Sequence, residues 1–209
     1  MFELDGLKAR PLWQPVLEFW FGDDLTREWP APFFEQRWFA AGAALDAEID
    51  EQFGGLVDAA LYSELVDWES KPLSRLALIL LLDQFSRHRY RGQAQAFAGD
   101  HRAVTLVNEG LAVGMDARLS WAGRVFFYMP LMHAEDEDLQ QRCIDCFERA
   151  QAEAPASIAD KLADNLRFAR EHAQIIQTFG RFPHRNAVLG RESTPAEVAF
   201  LETGPRYGQ

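Results

Sequence analysis

Pro72-Leu73-Ser74-Arg75-Leu76-Ala77-Leu78-Ile79-Leu80-Leu81-Leu82-Asp83-Gln84-Phe85-Ser86-Arg87-His88 is the most informative stretch of this chain. Pro72 suits the first turn of a helix, where its missing N–H costs nothing. Leu73, Leu76, Ala77, Leu80 and Leu81 line one side at helical spacing, and Leu78, Ile79 and Leu82 cover the other. A helix apolar on nearly every side is packed by neighbours all round, so residues 72–88 form the centre of the fold. The apolar run Leu76–Leu82 is the longest in the chain, and Asp83 ends it. Seven residues are far short of the roughly 20 that a membrane-spanning helix needs.

Outward from this helix the sequence reads as helix after helix. Val16–Phe21 forms a short one closed by Gly22. Phe34, Trp38, Leu45, Ile49 and Phe53 recur at helical spacing between Pro32 and Phe53, with Gly54-Gly55 expected to break the helix and Leu56–Leu65 to form the next. Asp100 is expected to cap a helix through Val113, ended by Gly114. Trp121–Met129 follows, stopped by Pro130, and Glu135–Glu153 is long and amphipathic. Ser157 with Asp160 has the spacing of a capping box for a helix to Phe179, and Thr194-Pro195-Ala196-Glu197 repeats it for a last short helix. No stretch alternates as a strand does, and no linker or low-complexity tract divides the chain. The expectation is a single all-α domain over residues 1–209, built of antiparallel helical hairpins in a tetratricopeptide-like right-handed stack, with an irregular helical bundle as the alternative.

Composition narrows the function. The 209 residues carry a net charge of −11, which disfavours nucleic acid and anionic membrane surfaces as partners. The charge is unevenly distributed. Residues 1–71 hold 15 acids against 5 bases, whereas residues 72–132 hold 4 acids against 7 bases, all arginine. Arginine suits bidentate pairing with carboxylate or phosphate. Met1–Arg10 carries Glu3 and Asp5 and no apolar stretch of signal-peptide length, so a soluble cytoplasmic protein is expected. The only two cysteines, Cys143 and Cys146, fall on the apolar stripe of a helix and read as core residues, because a closed zinc site needs four ligands. No phosphate-binding or dinucleotide-binding glycine motif occurs, so no cofactor and no metal are expected.

Three polar clusters interrupt the amphipathic pattern. The first is Asp83-Gln84-Phe85-Ser86-Arg87-His88-Arg89-Tyr90-Arg91, where Asp83 and Arg87 share a helix face. It reads either as an i,i+4 ion pair or as a carboxylate orienting arginines toward an anion. The second runs from Arg124 through Tyr128 to His133-Ala134-Glu135-Asp136. Its acids suit a helix N-terminus; alternatively His133, Glu135 and Asp136 form an acid/base or metal-assisted hydrolytic group, completed by His101, His172 or His184. The third is Gly180-Arg181-Phe182-Pro183-His184-Arg185-Asn186-Ala187-Val188-Leu189-Gly190-Arg191, a turn-rich stretch able to cradle an anion or simply to cap a helix end. His172, on an apolar stripe, reads as a hydrogen-bonded core histidine.

The phrases Val16–Gly22, Leu80–Phe85, Tyr128–His133, Gly180–Asn186 and Leu189–Pro195 together resemble the bacterial family called domain of unknown function 924. The resemblance runs from about Val16 to Leu201. It implies an all-helical, tetratricopeptide-like fold and no established activity. Ser86 stands where the family usually has proline, and Ala134 where it usually has serine; the latter removes a hydroxyl expected to cap a helix. Asp83, Gln84, Arg87, Arg89, Arg124, Tyr128, His133, Arg181, His184, Arg185, Asn186 and Arg191 are the candidate ligand-binding residues. The leading expectation is a binding protein whose arginine-lined pocket takes a small anion or a peptide carboxylate. The alternatives are the metal-assisted hydrolase and a scaffold with its arginines locked in buried ion pairs. Arg87, Arg124, Arg185 and Arg191 are expected to converge on Asp83 and His133, because an isolated guanidinium among apolar segments is costly.

Overall fold

A computed structural model describes residues 10–38 and 42–205, and every regular element among them is helical. Met1–Ala9, on which the reading of a missing leader rested, lies outside the described residues. No helix among the described residues is long and apolar enough to cross a membrane.

The central helix forms as its composition requires. It comprises α4 (Pro72–Leu80), a π turn (Leu81–Phe85) and α5 (Ser86–Arg89) in unbroken succession. Leu76 to Leu82 are each at most 3% exposed, because neighbours cover this helix on all sides. α1 (Gln14–Phe21), α6 (Asp100–Ala112) and α7 (Trp121–Met132) pack on α4, while α3 (Ala43–Leu61) packs on the π turn and α5. α8 (Glu137–Glu153) and α9 (Ala156–Phe179), joined by two residues, form the most extensive helix pair, and both contact α7. Phe126 meets Trp20 and Trp38 edge-to-face, and Trp20 packs tilted on Phe85, at the junction of α1, α2 (Pro32–Trp38), the π turn and α7. A smaller cluster of Ile175, Ile176 and Phe182, flanked by Phe179 and Phe200, ties α10 (Pro195–Thr203) to the end of α9.

Several boundaries differ from the sequence expectation, each for a local reason. Gly54-Gly55 does not break α3, which runs through to Leu61. A Cβ at Gly54 would overlap the Arg89 guanidinium, so glycine is there to admit a side chain from α5 rather than to end a helix. Pro130 does not stop α7; it lies two residues before the C-terminal end, where losing one backbone hydrogen bond is tolerated. Asp100 does not cap α6, because its carboxylate is drawn to two arginines, and the N-cap residue is Gly99. Ser157 lies inside α9, whose N-cap is Pro155. Asp136, not residue 134, caps α8 by accepting from Leu139 N at 2.9 Å, so Ala134 removes no cap here. The capping box at Thr194 and Glu197 forms as read, and Cys143 and Cys146 are buried free thiols. Burial holds the Cys143 thiol well above its ordinary pKa, leaving it an inert core group.

Candidate active site at Asp83 and His133

The π turn places Asp83 at the end of the apolar helix with none of its surface exposed. Single π turns inside α-helices recur at functional sites. Beside it, Ser86 donates its hydroxyl to Leu82 O at 2.6 Å and keeps that carbonyl bonded within the core. A buried carboxylate must be paired to stay charged. Asp83 Oδ1 lies 2.7 Å from His133 Nδ1 and 3.4 Å from the Arg87 guanidinium, and Oδ2 accepts from Gln84 Nε2 at 2.5 Å. Burial alone would raise the Asp83 carboxyl, but the Arg87 guanidinium and His133 outweigh it and hold it below the usual carboxylate range.

Arg87 is shared. It donates to the Asp83 backbone carbonyl at 2.5 Å and reaches the Asp100 carboxylate at 3.0 Å. Asp100 in turn accepts from Arg185 at 3.1 Å, so one carboxylate bridges two guanidinium groups from α5 and from the turn Pro183–Arg185. Arg185 is 7% exposed in its side chain, lies over the Phe97 and Phe182 rings at 4.5 and 4.7 Å, and donates to His133 O at 2.9 Å. Burial lowers its pKa to about 10, with Asp100 opposing, and it stays cationic at neutral pH. Glu135 accepts from Arg191 at both oxygens, 2.6 and 3.0 Å, and from Phe182 N at 2.8 Å. Arg191 also donates to Asn186 Oδ1 at 3.0 Å. Three carboxylates thus balance three guanidinium groups around His133.

Two more histidines stand behind this cluster. His172 is buried, its Nδ1 2.8 Å from Phe168 O, and its ring centre lies 6.2 Å from that of His133. Burial, then His133, push its pKa down to about 3. His184 is pushed down to about 3 by burial and then by Arg185. Both are neutral imidazoles at physiological pH. His133 differs from them. Its side chain is 18% exposed, and among the described residues nothing hydrogen-bonds its Nε2. With Nδ1–H donated to Asp83, the Nε2 lone pair is left for a visiting proton.

The structure brings Asp83, Gln84, Arg87, His133, His184, Arg185, Asn186 and Arg191 into one region and leaves the other candidates elsewhere. Arg124 does not join: it pairs with Glu153 at 3.1 Å, donates to Ala117 O and stacks on Trp121 at 4.2 Å, because α7 turns that face toward α8. Tyr128 donates to Asp116 at 2.7 Å, Arg89 pairs with Asp50 and Asp58, and Arg181 holds Glu197. Asp136 is engaged as a helix cap, and no group of three or more histidine, cysteine or acidic side chains placed to hold a metal occurs among the described residues. Sequence reasoning missed Asp100, whose position at a helix start disguised it as a cap, and Gln140, which Phe147 and the cysteines of the same helix gave no reason to notice.

A model of bacterial proteins of unknown function, DUF924, matches residues 16–205, and the chain belongs to this family. It is similar in structure to the protein of unknown function ATU0120 from Agrobacterium tumefaciens, with 37% sequence identity and a TM-score of 0.77 over 92% of this chain and 98% of that one. No curated protein matches it significantly.

Proposed function

We propose that this protein is an enzyme whose general base is His133, taking a proton at Nε2 from a small polar substrate, with Asp83 as the orienting carboxylate. One observation carries the reading: a fully buried, ionised carboxylate holds Nδ1 of a partly exposed imidazole whose other nitrogen has no protein partner among the described residues. This is the division of labour by which a buried carboxylate fixes the tautomer of a catalytic histidine and balances the charge it gains. Arg87, Asp100 and Arg185 keep that carboxylate charged and in place. An open arginine-lined pocket for a free anion or a peptide carboxylate has less support, because each converging guanidinium already faces a carboxylate. The scaffold reading keeps Arg89, Arg124 and Arg181, which bind elements together away from His133. The successive packing of α6 on α7, α7 on α8 and α8 on α9 supports a repeat-like stack for the second half of the chain.

Acylation by diethyl pyrocarbonate, mapped by mass spectrometry, tests the reading without a known substrate. His133 should react several-fold faster than the exposed His101 of the same molecule, and Asp83→Asn should abolish the difference. Equal rates for His133 and His101 in the unmodified protein would overturn it.

A further inference from the structure

His133 is the last residue attached to α7, and the backbone around it is held from outside. His133 N donates to Met129 O at 3.0 Å within the helix. Beyond that point the carbonyls of a helix end have no partner in the helix itself. Glycine in a left-handed turn commonly solves this, but none follows α7, and His133 keeps a φ of −87°. Instead Gln140, from the first turns of α8, donates one side-chain amide hydrogen to Met132 O at 2.6 Å and the other to Ala134 O at 2.8 Å. The carbonyl between them, that of His133, accepts from Arg185. Three consecutive carbonyls are therefore clamped, and the two outer ones by a single amide.

Gln140 is 2% exposed, and its amide donates to backbone carbonyls rather than to the imidazole. Its Oε1 is buried and has no hydrogen-bond partner among the described residues. A leucine or methionine would fill this space without leaving a buried acceptor unbonded, so the position requires the donor pair. A lysine or arginine would supply donors but would add a second buried cation beside Arg185. The neutral amide gives two donors in a fixed plane without charge.

We propose that Gln140 is a positioning residue: by holding the backbone on both sides of residue 133 it keeps the imidazole on Asp83 with Nε2 outward. This rests on the reading of His133 as the base. An imidazole whose backbone pivots by a fraction of an ångström loses its bond to Asp83 and the alignment of its free nitrogen.

The test is acylation of the intact protein by diethyl pyrocarbonate, scored as the rate at His133 over the rate at His101, in four proteins. The unmodified chain should give a ratio of several-fold. Gln140→Met should bring it down to parity. Gln140→Asn, too short to span both carbonyls, should give an intermediate ratio and keeps the test decisive if the methionine variant does not fold. Tyr128→Phe removes, from the helix that carries His133, a buried hydrogen bond to Asp116 in the turn before it, and should lower stability while leaving the ratio unchanged. A high ratio retained in both Gln140 variants would overturn the positioning role and leave His133 as the base. Parity already in the unmodified protein would overturn the His133 reading itself, and the positioning role with it.

Discussion

Mild acid should destabilise this protein through its buried histidines well before its carboxylates titrate. His172 is 6% exposed and its pKa lies at about 3 in the folded chain, against about 6.5 for an unfolded histidine. Between those values the unfolded chain binds a proton that the folded chain refuses. Stability is therefore unaffected above pH 6.5 and falls as the pH drops through that window. Each pH unit in the window costs about 1.4 kcal/mol per such group, so at pH 5 His172 accounts for about 2 kcal/mol. His184 acts in the same direction beside Arg185, giving about 4 kcal/mol for the pair, a large part of the 5–15 kcal/mol typical of a folded domain. Urea unfolding followed by tryptophan fluorescence at pH 7.5 and 5.0 measures this. With a slope of about 2 kcal/mol per molar, the loss due to His172 alone corresponds to about 1 M in the urea midpoint. His172→Gln can still donate to a backbone carbonyl but does not titrate, and it should shrink the pH-dependent drop by about that amount. An unchanged drop in His172→Gln would refute the reasoning.

Replacing Arg185 by methionine should cost about 3–5 kcal/mol in the same assay, because it strips Asp100 and the His133 carbonyl of a buried donor, whereas Arg124→Met should cost about 1 kcal/mol or less, since its partner Glu153 is half exposed; equal losses would contradict the placement of these two arginines. Asp83→Asn keeps the volume and one acceptor but removes the charge facing Arg87 and His133, and should lose about 3 kcal/mol at pH 7. Gly54→Ala, which would add about 1 kcal/mol in an open helix, should here lower the melting temperature, because the new methyl displaces Arg89 from Asp50 and Asp58. A higher melting temperature would show that Arg89 moves aside without cost.

The central helix was legible because its composition left no solvent-facing side: Leu76 to Leu82 had to be surrounded. The caps were less so. Thr194 and Glu197 satisfied their box locally, whereas Asp100 and Ser157, with equally suggestive contexts, are governed by contacts that spacing does not encode. Asp100 is 85 residues from Arg185 in the chain and is drawn off its helix end by it. The convergence of Asp83, Arg87, His133, Arg185 and Arg191 followed from a general argument, that guanidinium groups in apolar segments need partners. Arg124 falls outside that convergence, because the need for a partner does not name the carboxylate, and Arg124 pairs with Glu153 on α8 instead. The converging arginines arrive already paired with Asp100 and Glu135, which moves the chemical interest from them to His133. Gln140 carried no sequence signal: a glutamine on an amphipathic helix looks solvated until the turn it clamps is seen.

The tautomer of His133 tests the account most directly. In protein labelled with nitrogen-15 at histidine, spectra at alkaline pH distinguish a protonated ring nitrogen from a bare one. His133 is expected to carry its proton on Nδ1, hydrogen-bonded to Asp83, with Nε2 bare, and Asp83→Asn to disturb this assignment while leaving His101 unchanged. A proton on Nε2 in the unmodified protein would place the lone pair against the Asp83 carboxylate and contradict the claim that His133 is an oriented base.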